Sequence, residues 1–198
     1  MDIKGKKAIV FGGTSGIGLA TCQELQARGA EVVAVSRDPN KAGTSIGYIR
    51  LAAVDARDSD AVSAFFESEG KVDILISSAT GGSRAFGPFL EMDIDGFKGS
   101  FDKLWGYSNV VRYGTAKLDD CGCIVLVSGT PARRMKPGQV ALSAVGGAVE
   151  ALARAIAPEI APKRINVVAP GIVDTPMVAL TGDDRAAHYR NVTRSHLI

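Results

Sequence analysis

Six short runs of apolar and β-branched residues punctuate the chain: KKAIVF (6–11), EVVAVS (31–36), YIRLAAVD (48–55), VDILISS (72–78), CIVLVS (123–128) and RINVVA (164–169). Several are apolar throughout rather than alternating. Strands of that kind need cover on both faces, which is the condition of a parallel sheet. Segments with helical spacing lie between them. Residues 17–29 place Ile17, Ala20 or Thr21, Leu25 and Arg28 on one face and stop at Gly29. Residues 58–70 start on Asp and Ser and stop at Gly70. A longer helical region falls within 91–118. Another helix starts in GQVALSAVGGAVEAL (138–152) and ends near Pro158–Pro162, and a last one covers 183–194. Strand and helix alternate, so the expected fold class is α/β. It is a doubly wound parallel sheet of six strands with helices on both faces, in a single domain over 1–198.

The first strand passes into the first helix through VFGGTSGIG (10–18), where Gly12, Gly16 and Gly18 form G-x-x-x-G-x-G. Glycine permits a tight turn and close approach of backbone to a ligand. The helix start offers free N–H groups and the positive end of the dipole to a phosphate. A strand before and a helix after give this pattern the context of a dinucleotide site, with Gly12, Thr14, Ser15, Gly16, Ile17 and Gly18 around the pyrophosphate. The second strand ends in VSRD. In a Rossmann-type domain an acid there holds the ribose diol of NAD, whereas an arginine accommodates a 2′-phosphate. Ser36 and Arg37 therefore favour NADP(H), and Asp38, one place late, keeps NAD(H) as the alternative.

Other classes are disfavoured. A formal charge of +2 without a Lys/Arg block gives no footprint for nucleic acid. Cys121 and Cys123 form a lone C-x-C with no second pair or histidine cluster, so no metal site is expected. Residues 1–6 lead straight into an apolar strand, and uninterrupted apolar runs fall far short of the ~20 residues that span a bilayer. A cytoplasmic protein without a membrane segment is the expectation.

FGGTSGIG resembles the T-G-x-x-x-G-x-G of the short-chain dehydrogenase/reductase family, with Phe11 in the threonine place. DILISSATG (73–81) is similar to the family's D-x-L-x-N-N-A-G, with Ser77, Ser78 and Thr80 as departures. RINVVAPGIVDTPM (164–177) is close to R-V-N-x-I-x-P-G-x-x-x-T. The resemblance runs along nearly the whole chain and implies the following roles. Asp55 and Ala56 border the adenine, and Ser78 and Ala79 line the cofactor. Pro170, Gly171, Ile172 and Thr175 face the nicotinamide and phosphates. It also implies a homodimer or homotetramer, built through the two long central helices, and a seventh, C-terminal strand that is missing here.

The family's chemistry rests on an Asn–Ser–Tyr–Lys tetrad. Carried over residue by residue, the tyrosine position falls on Leu142, the lysine on Gly146, the serine on Gly129 beside Ser128, and the asparagine on Lys103. None carries the family residue, so the resemblance implies an atypical member. Tyr113 and Lys117 lie on the wrong helix to replace the pair. His188 and His196 fall in a polar tail, where lone histidines are ordinarily solvated. Lys103 places an ammonium near the vacated lysine position, toward the cofactor ribose or an anionic ligand, or else is a surface lysine. Arg84, Arg133, Arg134 and Lys136 give the two loops above the site a basic rim suited to an anionic small-molecule substrate.

Overall fold

The computed structural model describes residues 2–80 and 82–194. Gly81, the last residue of DILISSATG, and His196 lie outside them. The elements run β1 (Lys7–Phe11), α1 (Gly16–Ala27), β2 (Glu31–Ser36), β3 (Arg50–Ala53), α2 (Ser59–Glu69), β4 (Val72–Ser77), α3 (Ile94–Ser100), α4 (Asp102–Lys117), β5 (Leu118–Val127), α5 (Val140–Ile160), β6 (Arg164–Val168) and α6 (Gly182–Thr193). All six strands are parallel, in the order β3-β2-β1-β4-β5-β6. The order reverses between β1 and β4, which opens a crevice at their C-terminal ends, where doubly wound sheets bind ligands.

The four central strands, β1, β2, β4 and β5, each feed two cores. In β2, Val33 and Val35 point to the side packed by α2, α4 and α5, while Val32 and Ala34 point to the side covered by α1 and the 3-10 segment Pro39–Ile46. That two-sided demand explains the continuous apolar runs. On the first side Phe11, Phe65 and Phe66 form a ring cluster with centroids 5.4–5.9 Å apart. Asp58 caps α2 by accepting from the N–H groups of Asp60 and Ala61, as its Asp/Ser start predicts.

Three sequence expectations change. The buried stripe of α1 is Gly18, Cys22 and the half-buried Leu25, whereas Ala20 and Arg28 face solvent. The helix is rotated by about one residue because small Gly18 and Cys22 let it lie close on the sheet. The region 91–118 is two helices, broken at Phe101, with Asp93 capping the first through the N–H of Gly96 at 2.6 Å. β5 starts five residues early, at Leu118 instead of Cys123. Val72 pairs with Leu118 and Ile74 with Cys123, so Asp119–Gly122 bulge out of register. Polar residues in a bulge hide the strand from a periodicity reading. α5 ends at Ile160, within the Pro158–Pro162 stretch read as its end, and it tolerates Pro158 because a proline so near the end removes only one helical bond.

Among the described residues, one helix, α5, is long and apolar enough to cross a membrane by length and composition, contrary to the expectation from uninterrupted runs. In this fold it buries Ala141, Val145, Val149 and Ala153 instead.

Candidate active site

The crevice begins at the glycine loop. Gly12 has φ +79°, and a Cβ there would lie 2.6 Å from the backbone nitrogen of Ala79. A Cβ on Gly18 would overlap the carbonyl oxygen of Gly12. These two glycines are therefore required by the packing of the loop against the end of β4, whatever the ligand. α1 starts at Gly16 after Ser15, which makes no side-chain cap, and its first turn carries no acid. The first-turn N–H groups remain available to an anion.

Two contiguous cavities open here. The first, about 470 Å³, is lined by Gly12, Thr14, Ser15, Ser36, Arg37, Asp38, Asp55 and Ala56, with Arg57, Lys103 and Tyr107. The second, about 780 Å³, is lined by Gly12, Thr14, Ser15, Gly16, Ile17, Gly18, Ser78, Ala79, Pro170, Gly171 and Thr175. Ile172 lines neither and is 41% exposed. Lys103, Gly129, Leu142 and Gly146 all line the second cavity, although they come from α4, the β5–α5 loop and α5.

The first cavity is polar. The Ser36 hydroxyl is buried without a hydrogen-bond partner among the described residues, and Asp38 accepts from the N–H of Asn40 to cap the 3-10 segment. Arg57, unnoticed in the sequence, donates to both Asp55 oxygens and reaches Asp102 at 3.0 Å. Its guanidinium holds the Asp55 carboxyl below the usual carboxylate range. Only the R-D spacing hints at this, because the bond to Asp102 joins residues 45 positions apart.

The second cavity holds Lys103, Gly129, Leu142 and Gly146. The Ser128 hydroxyl, beside Gly129, donates to the Gly146 carbonyl at 3.1 Å. A Cβ on Gly146 would stand 2.9 Å from the Ala132 Cβ and 3.1 Å from that hydroxyl. Lys103 is partly buried, and its Nζ donates to the Ser128 carbonyl at 3.3 Å and sits 5.4 Å from the Tyr107 ring centre. It is no surface lysine. Burial, reinforced by Arg84, brings its ammonium down to about 8. Tyr107 is buried and donates its hydroxyl to the Val127 carbonyl at 3.0 Å. Burial pushes its pKa up, which disqualifies it as a proton donor near neutrality.

The other candidates lie elsewhere. The Tyr113 hydroxyl bonds Ser59 at 2.8 Å and Lys117 bonds Glu67 at 2.8 Å, both toward α2. His188 packs on Tyr189 in α6. The basic rim reduces to Arg84, which lines the second cavity. Arg133 is held by Glu150 at 3.1 Å, while Arg134 and Lys136 are exposed and line neither cavity.

The profile of the short chain dehydrogenase family matches residues 6–186. L-xylulose reductase of Mesocricetus auratus is 32% identical over 186 residues, covering 89% of this chain and 75% of its own. Carbonyl reductase [NADPH] 2 of Sus scrofa is 31% identical with the same coverage. Among solved structures, a small-chain dehydrogenase in complex with NADPH superposes with a TM-score of 0.79 at 28% identity, covering 98% of this chain and 83% of that one. BdcA in complex with NADPH gives 0.81 at 26% identity, covering 94% and 79%. The chain belongs to the short-chain dehydrogenase family.

Proposed function

We propose that this family member binds NADP(H) across the crevice and is an oxidoreductase whose proton chemistry does not run through a Tyr-x-x-x-Lys pair. The residues fit the cofactor. Gly12 and Gly18 leave a side-chain-free cradle, and the start of α1 presents uncapped N–H groups to the pyrophosphate. Arg37, together with the unpartnered Ser36 hydroxyl, suits a 2′-phosphate. Asp55 and Ala56 border the adenine, Ser78 and Ala79 the ribose, and Pro170, Gly171 and Thr175 the nicotinamide end. Ile172 contributes backbone at most. NAD(H) is the weaker alternative. When bound, the cofactor supplies or accepts a hydride; the chain orients it and excludes water.

The observation that carries this reading is that an intact cradle shares a cavity with Leu142 and Gly146. Leucine has no transferable proton and glycine has no ammonium. Lack of a positioned acid–base costs about 10²–10⁴ in rate. Carbonyl chemistry of the kind named for the relatives is therefore weak here or takes an unconventional route. The same two residues favour a second reading, in which the chain is a dinucleotide-binding sensor or partner subunit, or a non-redox enzyme using the nucleotide as scaffold. The protein acts as one cytoplasmic domain over 1–198. It pairs through α4 and α5 into a homodimer or homotetramer.

Fluorescence titration with NADPH and NADH tests binding, and single-turnover absorbance over carbonyl and enone panels tests hydride transfer. Slow oxidation of bound NADPH supports the first reading. Tight binding with no oxidation leaves the second, and no binding of either nucleotide overturns both.

A further inference from the structure

We propose that Arg84 and Lys103 form a two-cation site for an oxyanion group, carboxylate or phosphate, carried by the substrate. The proposal rests on reading the crevice as a substrate site. Both side chains line the second cavity, from different segments: Arg84 from the loop after β4 and Lys103 from the first turn of α4. Among the described residues neither has a carboxylate partner. The bond of Lys103 is to the Ser128 carbonyl, which neutralises no charge. Three acids line the two cavities: Asp102 and Asp55 hold Arg57, and Asp38 accepts from the N–H of Asn40 at the start of the 3-10 segment.

Two partly desolvated cations close enough to repel are costly to fold. Burial lowers the pKa of both, and Arg84 lowers that of Lys103 further. An anion seated between them relieves both penalties at once. Such an uncompensated cluster in a cleft is the pattern of a binding site rather than of a structural ion-pair network. Leu142, Val145, Val173 and Met177 make much of the remaining wall apolar. The chemistry recognised is therefore an oxyanion attached to an apolar carbon frame.

The test is calorimetric titration of the NADPH-saturated protein at pH 7 with hexanoate, hexyl phosphate and hexanamide. One anionic probe binds at least about 10-fold more tightly than the amide, as a desolvated charge-assisted pair predicts. The better of the two identifies the group. Lys103→Met and Arg84→Met each remove that preference, and Lys103→Arg retains part of it. Near pH 8, binding also takes up protons, because an anion raises the Lys103 pKa; heats in two cationic buffers of different ionisation enthalpy read this uptake. Equal binding of the amide, or a preference that survives both substitutions, overturns the proposal. So does a Lys103→Met variant that loses NADPH affinity but keeps the preference, since the lysine then serves the cofactor. If the wild-type protein binds no NADPH, the functional reading fails. The same three probes titrated without cofactor still decide the anion site.

Discussion

Replacing Lys103 with methionine should make the ligand-free protein more stable at neutral pH. Methionine keeps the unbranched stem that lies beside Tyr107 and removes the charge. A lysine lowered from 10.5 to about 8 on folding costs about 3 kcal/mol at pH 7. Screening by water in the open cleft reduces that to about 2 kcal/mol. The sign follows from linkage. The folded-state pKa lies below the unfolded one, so the unfolded chain holds the proton more tightly. The penalty is complete below the folded pKa of about 8 and is relieved as pH rises from there toward 10.5. The gain from Lys103→Met should thus be about 2 kcal/mol at pH 7 and mostly gone by pH 9.5–10. Urea denaturation of both proteins at the two pH values measures it, provided the slopes agree. A variant destabilised equally at both pH values would refute the account of Lys103 as a charge held at a cost for its ligand.

Three further outcomes follow from the geometry. Gly146→Ala should destabilise by about 1 kcal/mol despite its better helix propensity, because the new methyl crowds Ala132 and Ser128; Gly147→Ala, with open space around it, should stabilise by about 0.5–1 kcal/mol, both read by thermal melts. Arg37→Ala should weaken NADPH binding about 10- to 100-fold and leave NADH nearly unchanged in fluorescence titration, since only the 2′-phosphate is lost as a partner. Phe66→Ala, at 1% exposure within the Phe11–Phe65–Phe66 cluster, should cost about 3–5 kcal/mol in urea unfolding.

The sheet was legible because parallel strands covered on both faces are written as unbroken apolar runs, and β2 falls on residues 31–36 as read. The glycine loop was legible for a related reason: Gly12 and Gly18 stand where backbone meets backbone. The phase of α1 was not, because Gly18 and Cys22 bury their face by closeness rather than by bulk. The early start of β5 was hidden by charged residues in its bulge. In the site, alignment to the family pattern brought Lys103, Gly129, Leu142 and Gly146 to one cavity. It did not reveal Arg57 bridging Asp55 and Asp102, a contact across long sequence separation. Nor did it reveal which loop arginine turns inward, since Arg84 and Arg133 look alike as letters and differ only in whether an acid such as Glu150 is waiting.

The close seating of Ala132 on Gly146 has a consequence for how such a chain can change over time. Placing a lysine at position 146 would drive its Cβ into a methyl 2.9 Å away and into a serine hydroxyl that is already bonded to the helix backbone. The 3-10 turn Thr130–Ala132 would have to retreat first. A side chain at position 146 therefore needs changes on two segments together, α5 and the turn that faces it.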